Sequence, residues 1–264
     1  MALALNRPIG DPSVAAQLRH AHHVNAQAVL EILAMFDRPV DPRMLAARVN
    51  VEGAQHLQAT LDAGCGAILL GTHAGNGVLL AVQLAAAGWP VSVVYRQARM
   101  MSAAFFARGL ALYGIDAILA NEGFRAYGRM RDAVKQGRIV FVTLDQGVKR
   151  AGDGVRVRFL GKDMGVAAGP AQLSRHTRAP ILPVFASGYD GAWRFRIEPP
   201  LSPVTGPLAA EVERLARIAE LQVQLHPELW SWHHRRWHRQ PFPRATITAL
   251  KEGDDPCSTS MKAP

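Results

Sequence analysis

His73 stands in Gly71-Thr-His73-Ala-Gly75-Asn76-Gly77, directly after the apolar run Ala67-Ile-Leu-Leu70 and directly before the apolar helical pattern Val78 to Leu84. Imidazole is the side chain whose ordinary pKa suits proton transfer near neutrality. A small-residue turn between a buried strand and a helix start is where a parallel sheet presents such a group, because the free N–H groups of the helix favour developing negative charge. The residues around His73 thus have the types and the setting of a general base with an anion-stabilising neighbourhood.

Two further polar pairs follow apolar runs. Arg96 and Arg99 come after Val91-Ser-Val-Val-Tyr95, and Asp145 with Gln146 comes after Ile139-Val-Phe-Val-Thr-Leu144. In open α/β sheets, ligands bind beyond the carboxyl ends of the strands. His73 with Asn76, Arg96 with Arg99, and Asp145 with Gln146 are therefore expected on one rim, as the lining of a pocket.

The elements that must carry these residues alternate. Runs at 67–70, 91–95, 116–119 and 139–144 read as buried strands, and helical patterns at 77–87 and 103–113, and one that carries Arg125, Arg129 and Arg131 ahead of Gly137, separate them. This predicts an α/β fold, a single domain with a central, mainly parallel sheet flanked by helices on both faces. Ahead of it, residues 1–13 read as irregular, with Pro8 and Pro12, and Val14 to Phe36 as one amphipathic helix. Val51-Glu52-Gly53 reads as the opening of a helix that runs to about Ala63. Later segments give an alternating strand at 155–159, a helix at about 167–177, a strand at 179–184 and an alternating strand at 193–197, antiparallel at an edge. A long helix spans 208–225. The domain is expected to run over 14–240, with a partly disordered extension at 241–264.

Composition sets outer limits. The chain has 264 residues, 49% hydrophobic and 19% charged, enough for one sizeable core. Cys65 and Cys257 have no metal-ligand spacing and a domain of this size needs no disulfide, so a reducing cytoplasm is expected and no metal site. No window reaches the ~18 to 20 apolar residues of a membrane span, and the start lacks the pattern of a signal peptide. A formal charge of +9, from 30 basic against 21 acidic residues, points to an anionic partner without choosing it. His20, His22 and His23 read as solvated. No phosphate-loop or dinucleotide fingerprint is present.

Taken in order, Gly71-Thr-His73-Ala-Gly75-Asn76, Val94-Tyr95-Arg96, Arg108 with Tyr113-Gly114, Leu144-Asp145-Gln146, Phe159-Leu-Gly161, Ala179-Pro-Ile-Leu-Pro183 and Glu228-Leu-Trp230-Ser-Trp232-His-His-Arg235-Arg236-Trp237 resemble the bacterial lipid A late acyltransferases and related lysophospholipid acyltransferases. The similarity covers residues 20 to 240. It implies acyl transfer from a carrier thioester to a hydroxyl or amine, with no bound cofactor and with acyl carrier protein or coenzyme A carrying the donor. His73 matches the family's base. The acid expected five positions later is absent, since Val78 stands there. A carboxylate on one imidazole nitrogen sets the tautomer and stabilises the imidazolium, and valine does neither. Asp145, at a strand end facing the same pocket, is the candidate replacement.

The resemblance also implies roles for the remaining residues. Backbone N–H groups from Gly75 to Gly77, with the Asn76 amide, are expected to meet the oxyanion. Arg96 and Arg108 are expected to hold a phosphate or other anion, and Gln146 to bind substrate. Contact with an anionic membrane surface is expected to be peripheral, on the inner face of the cytoplasmic membrane, through Trp230, Trp232, Arg235, Arg236, Trp237 and Arg239. Two other readings stand beside it: a family member impaired by Val78 that binds a lipid or acyl carrier, and a soluble enzyme acylating a small metabolite. Nucleic acid is the rival partner for the basic, aromatic cluster at 233–239, but no nucleic-acid motif accompanies it, so none is expected.

Overall fold

The computed structural model describes residues 1–64, 66–97, 101–148, 152, 154–202, 206–234, 236 and 237. Cys65, Arg99, Arg235, Arg239, Cys257 and the expected extension at 241–264 lie outside the described residues.

Among the described residues the order of elements is α1 (Pro12–Asp37), α2 (Pro42–Arg48), β1 (Val49–Glu52), α3 (Ala54–Asp62), β2 (Ala67–Gly71), α4 (Gly77–Ala86), β3 (Val91–Tyr95), α5 (Ala103–Ala111), β4 (Asp116–Leu119), α6 (Phe124–Lys135), β5 (Ile139–Thr143), β6 (Gly154–Phe159), β7 (Lys162–Ala167), α7 (Gly169–Thr177), β8 (Ile181–Tyr189), β9 (Trp193–Ile197) and α8 (Leu208–Leu225). The helix starts follow local chemistry. Proline occupies the first turn of α1 and α2, and the preceding Asp11 and Asp41 carboxylates accept from Ser13 N–H and Arg43 N–H. Asn76 and Ser102 cap α4 and α5 in the same way.

Seven strands form one sheet in the order β1-β9-β8-β2-β5-β3-β4, with helices on both faces. Every pairing in it is parallel except β8–β9. β2 is wholly buried, as its unbroken Ala-Ile-Leu-Leu-Gly sequence requires of a strand covered on both faces. Its neighbour β5 is buried up to Val142. The register pairs Gly71 with Thr143, so the chain leaves both strands at the same height, His73 and Asp145 each two residues beyond.

Three readings from sequence are corrected. α1 begins at Pro12, and a short 3-10 turn at Ala2–Leu5 precedes it, so residues 1–13 are not wholly irregular. Val49–Glu52 is a strand, held at the sheet edge by parallel pairing with β9; isolated propensity could not reveal that partner. The antiparallel β9 is thereby one strand in from that edge. The expected strand at 155–159 forms as β6, outside the main sheet, and pairs with β7, which was unrecognised because Lys162-Asp-Met-Gly-Val-Ala167 lacks clean alternation.

Candidate active site

The shared register of β2 and β5 delivers His73 to Asp145. The His73 Nδ1–H donates to Asp145 Oδ1 at 2.6 Å, and the His73 backbone N–H donates to the same oxygen at 3.1 Å. Asp145 is fully buried. Its second oxygen, Oδ2, accepts from Trp230 Nε1 at 2.7 Å and Arg236 Nη2 at 2.8 Å. Burial pushes the Asp145 carboxyl up. The charges of His73 and Arg236 and the hydrogen bonds from His73 and Trp230 outweigh it and hold the group well below the usual carboxylate range. A permanently ionised carboxylate on Nδ1 leaves the lone pair on Nε2, the tautomer a general base needs.

Nε2 of His73 faces the Gln146 side chain, whose amide donates to it at 3.0 Å. The His73 ring is half-buried, so its outer nitrogen lies within reach of solvent or substrate. His234 stands edge-on to it, with ring centroids 5.4 Å apart, and His233 follows. Burial, together with nearby His73 and Arg236, pulls the His234 imidazole down to about 3. Neither of its ring nitrogens is hydrogen-bonded among the described residues.

The loop that carries the base is laced from a segment more than 150 residues away. Gly75 N–H donates to Leu229 O at 3.0 Å and Ser231 N–H donates to His73 O at 2.9 Å, closing a short bridge between Ala74 and Trp230. Gly75 has φ +66°, and a Cβ there would lie 2.8 Å from Ala186 Cβ and 3.3 Å from the Trp193 ring. Only glycine fits both the left-handed backbone and the close approach. Thr72 Oγ1 donates to Gln222 Oε1 of α8 at 2.6 Å.

The anion-stabilising groups differ from expectation. Gly75 N–H is spent on Leu229, and Asn76 is buried: its Oδ1 accepts from Leu79 N–H at 3.0 Å and its amide donates to Glu31 Oε2 at 3.0 Å. Asn76 is therefore a helix cap tied to α1. The donor shown at the His73 ring is the Gln146 amide, and the Gly77 and Val78 N–H groups, in the first turn of α4, have no intrahelical acceptor. The Arg96 and Arg108 side chains are exposed and make no hydrogen bond or ion pair among the described residues.

The sequence reading missed how the last segment is used. Trp230 and Arg236, expected at a membrane surface, are buried, and Trp232 and Trp237 are half-buried. Arg236 stacks 3.8 Å over the Trp230 ring, and its Nε donates to Asp145 O at 2.7 Å. A polar tryptophan and an arginine in one short motif signalled a buried acidic partner as well as a surface, but nothing local said which. Glu31 was missed entirely. It is buried in α1 and accepts from Asn76, from Trp193 Nε1 at 2.6 Å, from Gln27 at 3.2 Å and from Arg48. Among the described residues no cluster of His, Cys, Asp and Glu is arranged to hold a metal ion, and no helix is long and apolar enough to cross a membrane.

Comparison with known proteins shows the family. The family model described as bacterial lipid A biosynthesis acyltransferase matches residues 11–239. The chain is similar to the phosphatidylinositol mannoside acyltransferase of Mycobacterium tuberculosis (strain ATCC 25618 / H37Rv), 26% identical over 204 residues, which cover 75% of this chain and 63% of that protein. A phosphatidylinositol mannoside acyltransferase of Mycolicibacterium smegmatis is 26% identical over 200 residues, covering 75% and 65%. The chain thus spans less than two thirds of the length of these relatives.

Proposed function

The chain belongs to the bacterial lipid A biosynthesis acyltransferase family, and we propose that it moves an acyl group from a carrier thioester to a hydroxyl or amine of a saccharide-bearing lipid, with His73 as general base. The observation that carries this reading is the 2.6 Å hydrogen bond from His73 Nδ1 to the buried, ionised Asp145. It supplies the orienting carboxylate that Val78 does not, and so supports an active enzyme over an impaired binding protein. The acceptor class follows the activity for which the relatives are named.

In this mechanism the acceptor displaces the Gln146 amide from His73 Nε2. Nε2 takes the acceptor's proton as its oxygen or nitrogen attacks the thioester carbonyl. The negative charge on the carbonyl oxygen is met by the freed Gln146 amide and the Gly77 and Val78 N–H groups. When the C–S bond breaks, the imidazolium returns its proton to the leaving sulfur. The products are an ester or amide and a free thiol, with no cofactor consumed. Acyl carrier protein or coenzyme A is the donor carrier, which places the reaction on the cytoplasmic side, and Arg96 and Arg108 are offered to the donor's phosphates.

The test is thiol release from acyl-coenzyme A and acyl-carrier thioesters, with glycolipid, lysophospholipid and small soluble acceptors. The expected result is acceptor-dependent release that His73→Ala abolishes. Equal release by His73→Ala would overturn the assignment of the base, and turnover restricted to small soluble acceptors would overturn the acceptor class.

A further inference from the structure

Between two anchors on the catalytic pair, the chain carries an imidazole that nothing holds. Ahead of it, Ser231 N–H donates to His73 O at 2.9 Å. Behind it, Arg236 donates through Nε to Asp145 O at 2.7 Å and through Nη2 to Asp145 Oδ2 at 2.8 Å. The Arg236 backbone N–H closes the turn on His234 O at 2.9 Å. His234 thus sits on a short loop tied at one end to the base and at the other to its acid. Its half-buried ring stands edge-on to the His73 ring, centroids 5.4 Å apart and planes at 64°.

The other polar side chains around His73 are spent. The Asn76 amide is on Glu31, the Thr72 hydroxyl on Gln222, and the Trp230 indole and Arg236 on Asp145. His233 is exposed and its ring meets Ser231 Oγ. Among the described residues, the side-chain polar atoms that are both sealed from solvent and unpartnered belong to Gln17, Gln83 and Trp237, so the unpartnered nitrogens of His234 stay reachable. The ring is also held neutral. Burial and the nearby His73, Arg236 and His233 outweigh the opposite pull of Asp145 and bring its imidazole down to about 3. A neutral imidazole keeps one N–H and one lone pair. At working pH it does not compete with His73 for a proton, and it sets no second positive charge beside the imidazolium that His73 becomes.

We propose that His234 is a second catalytic residue, whose ring N–H donates to the thioester carbonyl oxygen and, with the Gln146 amide, meets the negative charge that gathers there. The inference rests on the acyltransferase reading above. As the acceptor attacks, the carbonyl π pair moves onto oxygen while His73 Nε2 takes the acceptor's proton. The His234 hydrogen stays on its nitrogen throughout and is shared with that oxygen as a hydrogen bond. When the pair returns to carbon, the C–S bond breaks, the sulfur leaves with the imidazolium's proton, and the hydrogen bond relaxes. A donor fixed in place before the charge develops needs no reorganisation at the moment of reaction, and the two anchors of the loop supply that fixity.

The experiment measures kcat and KM for thiol release by the intact chain as wild type, His234→Phe, His234→Ala, His234→Gln and His73→Ala. Acyl-coenzyme A and acyl-carrier thioesters serve as donors, with a glycolipid or a long-chain alcohol as acceptor, and melting curves identify the folded variants. Phenylalanine keeps a ring without the N–H, and glutamine keeps an N–H without the ring. The expected result is a kcat lowered about 10²- to 10³-fold in His234→Phe and His234→Ala, equally with every acceptor that wild type uses, and recovered at least about tenfold in His234→Gln. KM stays close to wild type, because the interaction is made in the transition state. A ketone analogue of the donor, with methylene in place of sulfur and carbon-13 at the carbonyl, gives a readout that a structural role does not move: its infrared carbonyl band lies lower on wild type than on the variants without the N–H. The proposal is overturned if the folded variants turn over as wild type, if they raise only the KM of the glycolipid, which would make His234 an acceptor contact, or if the carbonyl band does not move. In each case, turnover by wild type that His73→Ala abolishes leaves the acyltransferase reading standing. A wild type silent with every donor removes that reading and the role of His234 with it.

Discussion

At the scale of single residues, Asp145 is the group on which the proposed chemistry turns. In Asp145→Asn the side chain keeps its size but presents the wrong partner to Nδ1, so turnover should fall by about 10²- to 10⁴-fold with KM little changed. The same change removes the carboxylate that faces the buried Arg236 charge, a loss of the kind that costs about 3–5 kcal/mol. Chemical denaturation checks the second effect independently of the first. Val78→Glu should bring no gain in rate, because Nδ1 already has its carboxylate. A clear gain would show that Asp145 does not serve as the orienting acid.

His234 gives the residue scale a pH signature. Its folded-state imidazole is drawn down to about 3, while in the unfolded chain it takes up a proton near its ordinary 6.5. The unfolded state therefore binds more protons as pH falls from about 6.5 to about 3, and stability declines across that window. Asp145, whose carboxyl is held below the ordinary 3.8, adds its own loss only beneath that value, at the acid end of the window, so the decline between about 6.5 and about 4 does not come from it. Urea midpoints at pH 7 and pH 4.5 should drop less in His234→Gln than in wild type.

At the scale of elements, the loop between β2 and α4 is held from two sides. Glu31 binds the Asn76 amide and the Trp193 indole with one oxygen, and Trp193 in turn packs on Gly75. Asn76 cannot turn its amide around, because Oδ1 is committed to Leu79 N–H. Glu31→Gln thus removes acceptor capacity from the Trp193 indole and from the Asn76 amide, whose other acceptor is the distant Ala28 O at 3.5 Å, at a cost of about 1–3 kcal/mol. Gly75→Ala should also destabilise, by about 1–3 kcal/mol, since the residue sits at φ +66° against Ala186 and Trp193. Thermal melts report both, and a loss under about 0.5 kcal/mol in Gly75→Ala would mean that the loop relaxes freely.

At the scale of the whole molecule, the division between sequence and tertiary structure is physical. Buried parallel strands announce themselves locally, as unbroken apolar runs ended by small or polar residues, so β2, β3, β4 and β5 and the strand-end positions of His73, Asp145 and Gln146 are legible in the residue order alone. So is the family, because its blocks recur in order along one chain. Edge strands such as β1 and hairpins such as β6–β7 are stabilised by partners distant in sequence, and their local patterns are weak. The roles of Trp230, Arg236, Asn76 and Glu31 are also invisible there, because a side chain of either polarity reads the same whether it meets water or a buried partner. The sequence by itself determined which chemistry-bearing residues stand at strand ends. Only the tertiary structure decided that the registered ends of β2 and β5 place Asp145 on His73, since burial and strand register are properties of the assembled sheet.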